Sequence, residues 1–253
     1  MKTLKIIISP AKKMYDATAD FSAQTKPVLL SKAQTLFSWL QGLSYEQVKE
    51  VWQCSEKLAM SNYQELQSTK LTHQVTPALF SYVGLQYSSL APDLLTRPDL
   101  DYLAKNLRIL SGLYGILRPF DGIVKYRLEM GAKIDFAGAR DLYHFWGQDL
   151  YDELFKTGEP VVNLASKEYA KVITKYLAPT DIFITCEFKE YDPKRQKLVQ
   201  KATHAKKARG QFVRYLAEKK VEDLIQLQNF NELGYRFEAE FSSDTTYIFV
   251  KRE

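Results

Sequence analysis

The 253-residue sequence has few of the residues that build metal and redox sites. Its two cysteines, Cys54 and Cys186, lie far apart and outside any C-x-x-C pair. Its three histidines, His73, His144 and His204, lack H-x-x-x-H spacing. Zinc ribbons and thioredoxin-like motifs need such spacings, so both are excluded and the thiols are predicted to be reduced and structural. We therefore expect no metal site and no cofactor.

Long apolar runs and linkers are also missing. Near the N-terminus the longest apolar run covers residues 6–8. It is too short for a signal-peptide core or for the roughly 20 apolar residues of a membrane-spanning helix. The 11 glycines and 9 prolines are scattered, and no repeat interrupts the chain. These absences predict a cytoplasmic protein without a membrane partner, folded as one domain over residues 1–253.

Several signatures of nucleotide and ester chemistry are absent as well. The chain contains no G-x-x-x-x-G-K-[ST], G-x-G-x-x-G or G-x-S-x-G, so P-loop, Rossmann and α/β-hydrolase classes lack their motifs. Its 45% hydrophobic and 26% charged residues are typical of a globular protein and exclude disorder.

The order of predicted elements indicates an α+β fold. A β-branched strand over residues 3–8 ends in a polar loop, and helices follow as far as a helix from residue 99 that ends at Gly112. Residues 161–164 predict a buried strand before a helix capped by Ser166. Residues 181–203 and 235–251 predict two hairpins. We therefore predict a single compact mixed domain with a partly antiparallel sheet, β-hairpins and a helical segment.

Positive charge is concentrated in residues 194–220. The whole chain carries a net charge of +5, and this segment holds ten basic residues against one acidic residue. Lys206 and Lys207 open a predicted helix, where the helix dipole disfavours cations, so local stability does not explain them. With Arg209 and Arg214 they predict contacts to the phosphates of a polyanion. A solvated lysine-rich surface is the alternative.

A glycine-containing run adds a second candidate. Gly112 and Gly115 stand three apart among apolar residues, which allows a tight turn with exposed N–H groups for a phosphate. The run loosely resembles the hairpin of helix-hairpin-helix DNA-binding motifs, although those glycines usually stand two apart. A helix end at Gly112 and a loop at Gly115 are the alternative.

Charged residues beside this run require partners. Arg118, Arg127 and Glu129 lie in an apolar neighbourhood, and buried charges must be paired or bind something charged. A structural pair between Arg127 and Glu129 is the alternative to ligand binding.

Two predicted strand ends carry polar groups. Ser9, Lys12 and Lys13 follow the first strand, and Asn163 and Glu168 flank the turn into a later helix. Strand ends commonly hold functional groups in sheet proteins. Exposed lysines, and a carboxylate that suits the helix dipole, are the alternatives.

Taken together, these motifs resemble the YaaA family of bacterial peroxide-stress proteins. The matching segments, in chain order, are residues 8–12 (ISPAK), 110–119 (LSGLYGILRP), 126–131 (YRLEMG), 145–147 (FWG), 163–169 (NLASKEY) and 205–210 (AKKARG). The resemblance runs nearly end to end and is weakest across residues 21–98.

The resemblance implies a cytoplasmic protein that protects cells from hydrogen peroxide, with lower free intracellular iron and less oxidative DNA damage. It also implies a fold particular to the family, with a positively charged cleft, a helix-hairpin-helix-like element and binding of duplex DNA. It brings no catalytic assignment.

Two functions follow as expectations. In the first, double-stranded or structured DNA is the partner, and its phosphates are bound by Lys12, Lys13, Gly112, Tyr114, Gly115, Arg118, Arg127, Asn163, Lys206, Lys207, Arg209 and Arg214. In the second, an enzyme acts on a nucleotide or damaged base in the same cleft, with Glu168, Glu129 and Ser9 as catalytic candidates. Both predict that Lys12, Arg127, Asn163 and Lys206 line one cavity.

Overall fold

A computed structural model describes residues 3–17 and 21–252 of the chain. The strands are β1 (Lys5–Ile8), β2 (Lys13–Met14), β3 (Thr76–Pro77), β4 (Tyr82–Val83), β5 (Leu107–Ser111), β6 (Gly115–Leu117), β7 (Gly122–Ile123), β8 (Lys133–Phe136), β9 (Ala139–Asp141), β10 (Val161–Asn163), β11 (Phe183–Asp192), β12 (Lys197–Val199), β13 (Tyr235–Phe237) and β14 (Thr246–Lys251).

Helices lie between these strands along the chain. They are α1 (Leu30–Gly42), α2 (Tyr45–Trp52), α3 (Glu56–Ser68), α4 (Ala78–Ser81), α5 (Leu85–Leu90), α6 (Arg97–Asn106), α7 (Leu142–Trp146), α8 (Asp149–Phe155), α9 (Lys167–Thr174) and α10 (Ala202–Lys219), with short 3-10 helices at Pro92–Leu94, Leu224–Asn229 and Ala239–Phe241. Within the described ranges, no helix combines the length and the apolar character needed to cross a membrane.

An eight-stranded mixed sheet forms the centre of the fold. Its order is β13-β14-β11-β10-β1-β5-β6, with β12 paired to β11. The strands from β14 to β5 run parallel, whereas β13, β12 and β6 pair antiparallel. Ile6, Ile7 and Ile8 of β1 are all buried, as expected for a parallel strand covered on both faces. The sheet confirms the predicted α+β class and its partly antiparallel character.

Both predicted hairpins are present. β11 pairs antiparallel with β12 across a turn in which the Asp192 carboxylate accepts the backbone N–H groups of Lys194 and Arg195. β13 pairs antiparallel with β14, although a 3-10 helix lies between them. The strong alternation of these segments made them recognisable without tertiary information.

The helix predicted to end at Gly112 ends instead at Asn106. Residues 107–111 form β5, which pairs parallel with β1, so that Ile109 lies opposite Ile8. A short apolar run suits a buried strand as well as a helix, and here pairing with the central sheet decides. The segment from Gly112 to Gly115 then joins the antiparallel strands β5 and β6. It joins two strands, not two helices, which corrects the helix-hairpin-helix expectation.

An aromatic cluster fastens α10 to the sheet. Phe188 on β11 and Phe249 on β14 contact Phe212 of α10 and Phe230, with ring centroids 4.7–6.1 Å apart. All four are almost completely buried. Because edge-to-face and offset contacts add to the burial of large rings, this cluster fixes the helix that carries Lys206 and Arg209.

Glu190 is expected to make the fold sensitive to acid. It is held by Lys201, His204 and the Tyr235 hydroxyl. Burial alone raises the pKa of this carboxyl, but hydrogen bonds from the three partners outweigh burial and lower it to about 2. Since the folded-state pKa lies below the unfolded value, the stabilisation is complete above the unfolded pKa of roughly 4.3 and disappears as the pH falls towards about 2.

Urea unfolding of the wild type and of Glu190→Gln at several pH values measures this effect. The wild type should be more stable by roughly 1–3 kcal/mol near neutral pH, and the difference should shrink below about pH 4. A difference that stays constant over this range would contradict the assignment.

Candidate functional site

Two polar loops meet at the carboxyl edge of the parallel strands. β1 and β10 are neighbours with Ile7 opposite Asn163, so both strands end at the same edge. The Ser166 backbone N–H donates to Ser9 Oγ at 2.8 Å, and the two hydroxyl oxygens lie 3.3 Å apart. Ser166 occupies the N-cap position of α9, but its side chain makes no capping hydrogen bond. This edge is where open parallel sheets usually bind ligands.

The loop after β1 is fixed to α5 and β4. Lys13 of β2 pairs antiparallel with Val83 of β4. The Ser9 carbonyl accepts the Tyr87 hydroxyl at 3.0 Å and the Gln86 side-chain amide at 3.3 Å. Lys12 and Lys13 are therefore presented from a loop that is held at both of its ends.

Helix α10 approaches α5 at a glycine. A Cβ atom on Gly210 would lie 2.0 Å from the Gln86 carbonyl oxygen, so only glycine allows this distance. Lys206 and Arg209, four and one residues earlier, share the face of α10 that meets α5. The crossing thus brings two cations from the C-terminal half of the chain to the loop after β1.

A cavity of about 450 Å³ lies between these elements, and we call it the first cavity. Its polar lining is Ser9, Lys12, Lys13, Gln86, Arg127, Glu129, Ser166, Glu168, Lys206 and Arg209, and its aromatic lining is Tyr87, Tyr126 and Tyr169. A second cavity of about 750 Å³ adjoins it and is lined by Asn163, Lys167, Lys171 and Glu187 among others. The two cavities share Ser166, Glu168, Lys206 and Arg209.

Two arginines in the first cavity have unsatisfied donors. The buried Nε atoms of Arg127 and Arg209 have no hydrogen-bond partner among the described residues. Burial lowers the pKa of Arg209, against a weaker opposing effect of the Glu187 carboxylate. Arg127 is only 13% exposed, and its Nη2 lies 3.4 Å from Glu129 Oε1.

The acidic residues of the first cavity are held by neighbours. Glu129 lies 2.8 Å from Lys12 Nζ, and Glu168 accepts the backbone N–H of Gly131 at 3.0 Å. Burial raises the pKa of the Tyr126 phenol to about 12, so this group stays neutral near pH 7. The charged lining of the first cavity thus consists of five cationic side chains and two carboxylates, because the tyrosine adds no charge.

The structure brings together nine of the predicted site residues. Lys12, Arg127 and Lys206 line the first cavity, whereas Asn163 lines the second. The predicted residues that line one or both cavities are Ser9, Lys12, Lys13, Arg127, Glu129, Asn163, Glu168, Lys206 and Arg209. Those outside both linings are Gly112, Tyr114, Gly115, Arg118, Lys207 and Arg214.

The glycine run serves packing, which corrects its expected role as a source of phosphate donors. The Gly112 carbonyl accepts Nε1 of Trp146 at 2.9 Å, and a Cβ atom on Gly112 would lie 2.4 Å from the Leu128 carbonyl oxygen. Gly115 has a φ of +73° and lies against the Trp146 ring. Tyr114 is fully buried. These residues hold the β5–β6 turn against α7, out of reach of a phosphate.

The remaining predicted cations have local partners or face away. Arg118 pairs with the buried Asp121 carboxylate at 2.9 Å, and Arg214 pairs with Glu218 at 2.8 Å. Lys207 is exposed one position after Lys206, on a different face of α10. Adjacent residues on a helix diverge by about 100°, which separates the two lysines.

Gln86 and Tyr87 were not predicted as site residues. They lie in residues 21–98, where the sequence carries no motif, and they reach the first cavity because α5 contacts α10 across Gly210. Tyr126 and Tyr169 lie inside the matching motifs, next to Arg127 and Glu168, whose charge made them the predicted site residues. Gln86 and Tyr87 can be assigned to the cavity only from the packing of α5 against α10.

The sheet and the first cavity define a mixed α+β protein with a mainly basic surface cavity at the carboxyl edge of its parallel strands. A family model described as peroxide stress protein YaaA matches residues 4–241. The chain belongs to this family, and its membership supports a role in peroxide stress.

Full-length relatives agree with the family assignment. A UPF0246 protein of Ligilactobacillus salivarius is 46% identical over 248 residues, which cover 98% of this chain and 100% of the relative. UPF0246 proteins of Lactiplantibacillus plantarum and Pediococcus pentosaceus are 48% identical over 247 residues and 47% identical over 250 residues. These two alignments cover 98% and 99% of this chain, and 99% of each relative.

Proposed function

We propose that the protein acts in peroxide stress by binding DNA along the two adjoining cavities. The observation that carries this proposal is the convergence of five cationic side chains on the first cavity: Lys12, Lys13, Arg127, Lys206 and Arg209. They come from three distant parts of the chain and outnumber the two carboxylates beside them. Such a concentration of positive charge suits a polyphosphate ligand.

The exposed lysines suit contacts that are independent of DNA sequence. The Lys12 side chain is 68% exposed, and Lys206 is exposed where the two cavities meet. Lysines at such positions bind phosphate oxygens of the backbone, so binding should weaken steeply with salt. Lys167 and Lys171 extend the basic lining into the second cavity.

Lys206→Ala is expected to weaken DNA binding several-fold and to reduce the slope of log K against log salt by about one. Fluorescence anisotropy with a labelled duplex over a salt series measures both quantities. Lys207→Ala is the matched control, because it removes the same charge from an adjacent, exposed position outside both cavity linings. Equal losses in the two variants would contradict the assigned binding surface.

A second candidate function is catalysis on a nucleotide or damaged base in the same cavity. It is favoured by the presence of Ser9, Glu129 and Glu168 in one lining. Glu168→Gln should then leave DNA affinity unchanged and abolish any turnover, whereas Lys206→Ala should weaken substrate binding. Screening the purified protein for products from peroxide-treated DNA, with Glu168→Gln beside it, separates this function from binding alone.

A further inference from the structure

The Arg209 side chain lies in the wall between the two cavities, and its buried Nε has no hydrogen-bond partner in the described part of the chain. Glu187 attracts it from a distance, but the Glu187 carboxylate itself pairs with Lys189 at 2.8 Å. A guanidinium group carries five N–H donors, and leaving a buried donor unpaired costs free energy. The buried Nε of Arg209 is therefore a donor that an oxyanion in either cavity would satisfy.

Arg127, which also lines the first cavity, has a buried Nε without a partner among the described residues as well. Its only ion-pair distance in the described chain, 3.4 Å to Glu129, is long. Glu129 lies closer to Lys12, at 2.8 Å. The other carboxylate of the lining, Glu168, is held by the Gly131 backbone. Neither carboxylate of the cavity satisfies the two buried Nε groups.

The two arginines differ from the lysines in their position and in the ligand that they suit. Lys12 and Lys206 are exposed and accessible to the phosphodiester backbone of a strand that passes over the cavity. The buried Nε donors of Arg127 and Arg209 can be reached only by a group that enters the cavity. A phosphate monoester carries a charge of about −1.5 to −2 and three acceptor oxygens, and guanidinium groups bind such an oxyanion in a bidentate manner. A phosphodiester carries one charge and two free oxygens.

We propose that the first cavity is a site for a terminal phosphate monoester on a nucleotide unit, bound by Arg127 and Arg209. The cavity of about 450 Å³ falls within the size range of small-ligand pockets and has room for one nucleotide. Tyr87, Tyr126 and Tyr169 line it and supply aromatic surface for a base. This inference rests on the proposed DNA-binding function, because it makes a phosphorylated strand end the preferred ligand. A free nucleotide has the same chemistry.

The test compares three single-stranded oligonucleotides of one sequence with an internal fluorophore. One carries a 5′-phosphate, one a 3′-phosphate, and one has hydroxyl groups at both ends. For the wild type, a terminal phosphate should tighten binding about tenfold or more, as expected for charge-assisted hydrogen bonds. In Arg209→Gln the ratio between the affinities for the phosphorylated and the hydroxyl-ended strand should fall below about twofold, in addition to any loss of affinity that all three strands share. Lys207→Ala should retain the gain.

Thermal unfolding separates loss of the site from loss of the fold. Arg209→Gln should unfold at the same or a higher temperature than the wild type, because it removes a mostly desolvated cation whose buried Nε has no hydrogen-bond partner among the described residues. Deoxyadenosine monophosphate should raise the unfolding temperature of the wild type but not that of Arg209→Gln. If that variant does not fold, Arg127→Gln takes its place in both measurements.

The outcomes distinguish failure of the monoester site from failure of DNA binding. Equal, salt-dependent binding of all three strands by the wild type would overturn the monoester site and leave DNA binding intact. A terminal-phosphate gain that persists in both arginine variants would also overturn it. Stabilisation by deoxyadenosine monophosphate without binding of any oligonucleotide would support the site, with a free nucleotide as its ligand, and overturn the DNA-binding function.

Discussion

Gly210→Ala is expected to destabilise the protein by about 2–3 kcal/mol, although alanine is the better helix former. The added Cβ atom would lie 2.0 Å from the Gln86 carbonyl oxygen and 3.0 Å from the Leu90 backbone nitrogen. Both atoms belong to the α5 backbone, which cannot move aside as a flexible side chain would. Helix α10 must shift away from α5, and the first cavity loses its shape. Urea unfolding measures the change in stability.

Gly42→Ala is the matched control for this prediction. Gly42 ends α1, is exposed, and has no heavy atom within 4 Å of an added Cβ. Its replacement should be neutral or stabilising by up to about 1 kcal/mol. Gly210→Ala should also weaken DNA binding if the cavity binds DNA, since Lys206 moves with the helix. A Gly210→Ala protein as stable as the wild type would show that the two helices do not approach this closely.

Trp146→Ala is expected to cost about 3–5 kcal/mol, the range for truncating a large buried aromatic side chain. Trp146 is completely buried, contacts the ring of Phe145 and lies against Gly115. Its Nε1 donates to the Gly112 carbonyl at 2.9 Å. The substitution opens a large cavity beneath the β5–β6 turn and removes a buried hydrogen bond. Thermal and urea unfolding measure the loss.

Trp146→Phe separates packing from hydrogen bonding. Phenylalanine keeps much of the ring volume but leaves the buried Gly112 carbonyl without its donor, so we expect a smaller loss of about 1–3 kcal/mol. Retention of DNA binding by this variant would agree with a purely structural role for residues 112–115. A loss below 1 kcal/mol in Trp146→Ala would mean that the tryptophan is not part of the core.

Local sequence patterns were sufficient to predict the elements whose conformation is not changed by tertiary pairing. The buried run of β1, the strand–turn–helix unit of β10 and α9, and the two hairpins follow from apolar runs, alternation and turn residues. Residues 107–111 show the limit of such patterns. Their apolar spacing fits a helix continued from α6, and pairing with β1 makes them a strand. A local pattern does not show which distant segment a parallel strand pairs with.

Some features of the site were likewise predictable from the sequence, whereas others depended on the tertiary structure. The sequence by itself determined the family, the basic character of residues 194–220 and the charged side chains that line the first cavity, because motifs and charge are properties of the local sequence. Tertiary structure alone decided that Lys206 lines the cavities while Lys207 lies on a different face of α10. It also decided that Gly112 and Gly115 are buried against Trp146. The contribution of Gln86 and Tyr87 from α5 likewise depends on the tertiary structure. The physical reason is packing: which face of a helix or turn is covered depends on contacts made by residues far away in the chain.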